Sequence, residues 1–393
     1  MKLWKKNNEL NKEIEKFTVG TDFLLDLKLI KYDCEASIAH AKMLNKIGVL
    51  SEEEFNKLVE GLNEIAELAS QGEFKIKQED EDCHTAIENY LVKKYGEVGK
   101  KIHTARSRND QVLTALRLYE KAELGNIKSF LGDFKSAIAE FVEKNGKIQI
   151  PGYTHMQKAM PTTVKMWLCA FFESAKDNIE LLDCVVKLID QCPLGSAAGF
   201  GVPVFNIDRE MTAKEMIFSK VMENPIYCQM SRGKFESSIL HLLNQIMFDL
   251  NKLASDLTLF NMKELGFVSL PSDFCTGSSI MPNKKNPDVL ELIRAKYHVV
   301  LGEEFKVKSL IGNLISGYNR DMQLTKEPLF NSIDITKQSL KLMSLVLSGL
   351  KINEDKCKKA VTDDLFATEE AYKLVKQGVP FRDAYKKIGE KYS

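Results

Sequence analysis

From Ser231 to Leu265 the chain runs without a proline, and Ile239, Leu243, Ile246, Leu250, Leu253, Leu257 and Phe260 recur at steps of three and four residues. That spacing follows the turn of an α-helix rather than the two-residue alternation of a strand. Gly266 follows as a stop signal. Similar periodic stretches cover roughly 106–144, 162–190, 288–312 and 326–349, lengths that suit a helical bundle better than a compact mixed domain. The apolar stripe before Gly266 is broad, with Leu257, Leu259 and Phe260 nearly adjacent. A helix of that kind meets neighbours on two sides, either by self-association or inside a wholly intrachain core.

The remainder is also helical. Before residue 104 shorter helices are broken by Gly20, Gly48 and Gly72, and Ser51 with Glu54 forms a capping-box pattern at one start. After Gly349 another short helical region begins, with Gly378-Val379-Pro380 as a turn. Strand signals are scarce; the nearest, Gly201-Val202-Pro203-Val204-Phe205, carries a glycine and a proline and reads as loop or edge hairpin. The fold class is therefore all-α, and 393 residues suffice for two or three domains.

Charge and cysteine usage exclude several roles. Lys plus Arg and Asp plus Glu number 55 each, a balance that argues against a nucleic-acid or membrane-surface partner. The eight cysteines include no C-x-x-C pair and no Cys/His cluster, which fits buried thiols in a reducing cytosol rather than disulfides or zinc ligands. Met1 to Asn8 is lysine-rich without an apolar core, unlike a secretory signal. No run approaches the ~18 apolar residues of a membrane span. The expectation is a cytoplasmic protein.

One segment carries concentrated chemistry. Gly277-Ser278-Ser279-Ile280-Met281-Pro282-Asn283-Lys284-Lys285-Asn286-Pro287-Asp288 packs a glycine hinge, two hydroxyls, two ammonium groups and an amide together. A serine hydroxyl is a poor base in water, so its alkoxide needs positive charge close by. Lys284 and Lys285 offer that charge, and also neutralise a carboxylate whose α-carbon is losing a proton. Pro287 with Asp288 reads as the first turn of the next helix. The plain alternative is a solvated basic loop between two helices.

Other candidates are spread along the chain. His155, in Gly152-Tyr153-Thr154-His155 just after Pro151, reads as a loop entering a helix; histidine titrates near neutrality and can carry a second proton. A lone histidine is more often structural. Arg106, Ser107, Arg108 and Asn109 present a fork of donors suited to carboxylates. Alternatively, the acidic run Glu79-Asp80-Glu81-Asp82 pairs with these arginines in a salt-bridged helix start. His84, which follows that run, reads as structural. Arg232, in Met230-Ser231-Arg232-Gly233-Lys234, is a carboxylate contact at a helix start.

Taken with Thr104-Ala105-Arg106-Ser107-Arg108-Asn109-Asp110-Gln111, Gly152 to Gln157, and Tyr318-Asn319-Arg320-Asp321-Met322-Gln323 followed by Lys326, the 277–288 loop resembles the motifs of the fumarase/aspartase superfamily. Within it the chain is similar to argininosuccinate lyase and its delta-crystallin relatives, in the family's order along nearly the whole length. The resemblance implies reversible elimination of fumarate from L-argininosuccinate to give L-arginine, with no metal or organic cofactor. It implies Ser278 as the catalytic serine, with Ser279 not separable by chemistry alone, and His155 as acid or as partner through water. Which of the two takes the proton is open. Lys284 matches the carboxylate-binding lysine, and Asn286, Thr154, Asn109, Tyr318, Gln323 and Lys326 match substrate contacts. The implied architecture is an N-terminal helical domain (1–104), a central long-helix bundle (105–349) and a small C-terminal helical domain (350–393). The resemblance also implies a homotetramer whose active sites are each built from three subunits.

Three departures mark a divergent branch with a shortened C-terminus. Where the family usually has serine in an Asn-Ala-Ser segment, this chain reads Phe17-Thr18-Val19-Gly20. The segments Ser196 to Arg209 and 224–236 differ from the commoner form, and relatives usually continue beyond the point matching Ser393. The alternatives are another succinyl-amine lyase of the superfamily, or a non-catalytic structural protein that keeps the lyase fold.

Overall fold

A computed structural model describes residues 11–392; Met1–Asn8, read above as unlike a secretory signal, lie outside the described residues. Five helices dominate: Arg108–Asn145, Val164–Ile189, Lys234–Phe260, Asp288–Leu310 and Lys326–Gly349. Each lies close to its expected stretch, because a long apolar period of three and four residues leaves little freedom in where a helix runs. The first has 38 residues and, at 1.5 Å per residue, is about 57 Å long. The third stops at Phe260, ahead of Gly266, whose N–H closes the following turn on the Met262 carbonyl. Among the described residues every strand belongs to a two-stranded pair, so the all-α class holds. Residues 201–205 form a loop.

One stretch departs from expectation. The residues after Pro151 do not enter a helix; Gln149–Thr154 and Gln157–Thr163 form an antiparallel hairpin. Ile150, Tyr153, Thr162 and Thr163 are strand-forming types, and Pro151 faces Pro161, so that neither residue owes the ladder an N–H. A Cβ on Gly152 would lie 3.0 Å from the Met160 carbonyl oxygen, so the strands approach closely there. The hairpin turns on two residues, His155 and Met156, with φ of 53° and 59°. A two-residue turn with both φ positive is the type I′ geometry that matches strand twist, usually built from Asn and Gly. The short pattern and the absence of such a pair hid it in the sequence.

The chain divides into two compact units, and the division falls within all five long helices. One unit comprises the residues up to Asn126, Leu182–Leu242 and Leu301–Ile333. There the helices Ile30–Lys46 and Glu52–Ser70 pack together over Leu44, Leu58, Leu62 and Ile65, all fully buried. The capping box at Ser51 is formed in both directions. A second cluster gathers Ala36, Ala39, Leu118, Cys192, Leu194, Met216 and Phe218. Asp110, fully buried, accepts N–H groups from Ser107, Gly195 and Ala197 at 2.9, 3.0 and 2.9 Å, which ties the loop after Cys192 to the first turn of the longest helix.

A buried ionic group sets the backbone beside Arg232. Arg117 donates to Glu120 at 2.6 Å and to Ser231 at 3.1 Å, with its guanidinium 4.3 Å from the Phe235 ring centre. Burial pushes the Glu120 carboxyl up to about 8, with Arg117 opposing and Glu236 reinforcing the shift. Glu236 accepts the Gly233 N–H at 2.5 Å.

The other unit comprises Ile127–Leu181, Leu243–Val300 and the residues from Asp334 on. Ser174 and Asn178 both donate to Asp249 at 2.6 Å, and the rings of Trp167, Phe260 and Phe267 follow one another at centroid separations of 5.1 and 5.5 Å. Helices Ala367–Lys376 and Phe381–Tyr392 flank the expected turn at Gly378, with Tyr372 stacked on Phe381.

Gly233 has φ of 82°, and a Cβ there would lie 2.3 Å from Ile311 Cγ2. Gly233→Ala combines backbone strain with a core overlap and is expected to lower the unfolding free energy by about 2–4 kcal/mol. Urea titration followed by circular dichroism measures it.

Candidate active site

The first unit holds a cavity of about 190 Å³. Of the sequence candidates, Arg108, Asn109, Arg232, Tyr318, Gln323 and Lys326 line it, brought together from segments distant in sequence. His84 lines it as well, with residues that sequence reading did not select: Val19, Asp22, Asp26, Val112 and Arg320, and the acidic pair Glu81 and Asp82. The four-residue spacing of Asp22 and Asp26 just after Gly20 was the available signal for two of these.

Most of the charges here already have partners. Arg108 lies 3.1 Å from Glu81 and 3.4 Å from Asp82 and donates to Thr85 at 2.7 Å, so the salt-bridged alternative is realised for this residue even as it lines the cavity. Arg106 is not among the lining residues; it donates to Ser37 at 2.8 Å, and burial lowers its pKa, with the Asp33 and Asp110 carboxylates opposing. Ser107 caps the long helix, its hydroxyl accepting the Asn109 N–H at 3.3 Å. Arg320 donates to the Thr18 carbonyl at 2.9 Å, and Gln323 donates to the carbonyls of Thr18 and Val19 at 3.3 and 3.4 Å. Thr18 and Val19 close the helix Lys12–Val19, and the chain leaves it at Gly20 with φ 54° and ψ −130°, a backbone conformation that belongs to glycine. The glycine is thus demanded by the path of the chain.

Lys326 is 2 % exposed, with its ammonium 2.6 Å from both Asp22 and Asp26. Burial alone would depress its pKa, but the two carboxylates outweigh burial and raise it. Burial pushes Asp26 up, yet Lys326 and then His84 hold it below the usual carboxylate range. For Asp22 burial wins, and its pKa is raised despite Lys326. His84, buried, places Nδ1 3.0 Å from Asp33, which also accepts from Gln111 at 3.1 Å. Burial opposes protonation of His84, and the Asp33 carboxylate more than offsets it, raising the pKa.

The other candidates belong to the second unit. Thr154 and His155 are exposed at the hairpin tip, His155 in the left-handed region. The 277–288 segment is a loop closed by the short pair Thr276–Gly277 and Lys285–Asn286. The Ser278 hydroxyl oxygen accepts N–H groups from Ile280 and Met281 at 3.4 and 3.1 Å. Lys284 is exposed and its N–H closes a turn on Met281; Lys285 donates to Ser272 at 2.6 Å, and Asn286 donates to the Gly277 carbonyl at 3.3 Å.

Asp26, Cys83 and His84 place one potential metal ligand each within 4.8 Å of one another. The donors are already engaged: Asp26 accepts Lys326 and the Cys83 N–H, and His84 pairs with Asp33. Burial raises the Cys83 thiol well above its ordinary value, which opposes the thiolate a metal would need.

A family model described as Lyase matches residues 5–302. An argininosuccinate lyase of Thermotoga neapolitana is 52 % identical over 391 residues, covering 100 % of this chain and 98 % of that one. The chain belongs to the argininosuccinate lyase family. A member from Sorangium cellulosum is 42 % identical, covering 99 % of this chain and 90 % of its own. Among solved structures, an EDDS lyase in complex with formate superposes with a TM-score of 0.82 at 23 % identity, covering 97 % of this chain and 76 % of that one, and shares the fold. Membership of the family joins the all-α architecture to carbon–nitrogen lyase chemistry.

The His84–Asp33 pair carries a pH signature. A base whose pKa is raised in the folded state adds stability that is fully present below the free value of 6.5 and is lost as pH rises through the raised value. His84→Gln is therefore expected to cost about 1–3 kcal/mol at pH 6, with the gap from wild type narrowing as the solution becomes alkaline. Urea unfolding at a series of pH values reads that gap.

Proposed function

We propose that this protein cleaves L-argininosuccinate reversibly to fumarate and L-arginine, as an enzyme of arginine biosynthesis acting in the cytoplasm. The observation that carries this reading is 52 % identity to an argininosuccinate lyase across the whole chain. The pocket chemistry agrees with it. The substrate has three carboxylates, an ammonium and a guanidinium, and the cavity offers both signs of charge with neutral donors in Asn109, Tyr318 and Gln323.

The reaction removes a proton from the carbon beside a carboxylate, so the carboxyl becomes doubly negative before the guanidino nitrogen leaves. Stabilising that charge is the largest demand on the site. In our reading Lys284 supplies the cation, and Asn286, Thr154, Asn109, Tyr318, Gln323 and Lys326 hold the substrate, aided by Arg108 and Arg232. Ser278 is the base and His155 gives the proton to the leaving nitrogen, directly or through water. Two backbone N–H groups aimed at the Ser278 oxygen support it over Ser279, because they would stabilise an alkoxide. His155 stands exposed at the hairpin tip, where its ring can meet a ligand.

The same reading includes a homotetramer with active sites shared between subunits. Exposed apolar side chains along Asp288–Leu310 agree with it: Leu292 is 60 % and Phe305 74 % exposed.

Fumarate absorbance after addition of argininosuccinate tests the activity, and adenylosuccinate or aspartate should release none. Ser278→Ala and His155→Asn are each expected to lower kcat about a hundredfold or more. A near-wild-type rate in Ser278→Ala would refute the base assignment. Activity should also fall on dilution into the monomeric range, as followed by light scattering; full activity of monomers would refute the shared site.

A further inference from the structure

The cavity brings together an acidic group and a guanidinium that form no ion pair with each other. Arg108 is paired with Glu81 and Asp82, and Arg320 is directed at the Thr18 carbonyl. Lys326 is shared by two carboxylates, so the Asp22–Lys326–Asp26 group carries one net negative charge. Arg232 lines the same cavity, only 3 % exposed, and its Nε has no hydrogen-bond partner. Among the described residues Arg232 forms no ion pair; its one recorded aromatic neighbour is Tyr318, whose ring centre lies 6.0 Å from the guanidinium carbon. An excess negative charge and an unpaired guanidinium in one small cavity complement a ligand that bears an ammonium and a carboxylate together. The amino-acid end of the arginine half has those two groups.

The two aspartates are not equivalent. Asp26 is fully buried, and its oxygens accept the Lys326 ammonium and the Cys83 N–H. Asp22 is 13 % exposed and holds its Oδ1 2.6 Å from the Lys326 ammonium, so its carboxylate reaches the cavity while Asp26 stays enclosed. It also stands two residues beyond Gly20, where the chain has no side chain to offer a ligand.

We propose that Asp22 is a specificity-determining residue whose carboxylate receives the ammonium group of the arginine half, with Arg232 receiving the carboxylate of that same end. The proposal rests on the activity assigned above. The net negative charge of the aspartate–lysine group draws in the cation, and Asp22 is the member that reaches it. Lys326, 2.6 Å from each, favours the ionised form of both aspartates.

Calorimetric titration of the full-length enzyme with L-arginine and with 5-guanidinopentanoate, which lacks only the amino group, isolates this contact. Wild type is expected to prefer arginine by about tenfold or more. In Asp22→Asn the preference should fall to near unity, and in Asp22→Glu it should return in part. KM for argininosuccinate should rise in Asp22→Asn with kcat changed far less. Retention of the wild-type preference in Asp22→Asn would overturn the proposal. So would an equal loss of affinity for both ligands that glutamate does not restore, since that marks a purely structural role. Wild type that binds arginine selectively yet releases no fumarate would instead count against the assigned activity, because the titration does not depend on turnover.

Discussion

A buried ammonium is the constraint around which the first unit is organised. Lys326 is 2 % exposed and opens the helix Lys326–Gly349, so its charge has to be met inside the protein. Asp22 and Asp26 meet it, and Asp26 in turn accepts the N–H of Cys83 at the start of helix Cys83–Tyr95. Three segments far apart in the chain are thereby held to one position. Such groups stabilise little in net terms, because desolvation offsets much of their attraction, but loss of any member leaves a bare charge in the interior. Geometry is what the arrangement secures, since the same residues line the cavity.

A second tier of buried polar contacts holds the walls. Asp110 takes three backbone N–H groups and fixes the loop after Cys192 to the first turn of the longest helix. Arg117, Glu120 and Glu236 govern the backbone on either side of Arg232, through Ser231 and Gly233. Each device spends a carboxylate on backbone donors or on a buried arginine, and leaves Arg232 without an acidic partner. The cavity therefore presents a selected remainder of the charges that the sequence displays.

The long helices were legible because their signal is repetitive: one apolar residue every three or four positions over six turns or more overrides local exceptions. The hairpin at 149–163 was not, because strand signals there are short and its turn uses His155 and Met156 where sequence reading looks for asparagine and glycine. The candidate site was legible in part. Asn109, Arg232, Tyr318, Gln323 and Lys326 were named from motifs and line one cavity, whereas Asp22, Asp26 and Arg320 were passed over. Aspartates near a helix start are so often solvated or capping residues that their spacing alone gave no reason to select them.

By itself the sequence determined the helical class, the course of the five long helices, and the family, since periodicity and motif order are properties of the chain read in one dimension. Only the tertiary structure decided which charges remain available. Arg106, Arg108 and Lys326 look alike as cationic candidates, but one is hydrogen-bonded to Ser37, one is held by Glu81 and Asp82, and one is shared by two aspartates. Arg232 is left without an ion-pair partner among the described residues. The reason is physical: whether a charge is free depends on the neighbour that neutralises it, and folding brings that neighbour from far along the chain, as with Asp26 and Lys326, 300 residues apart.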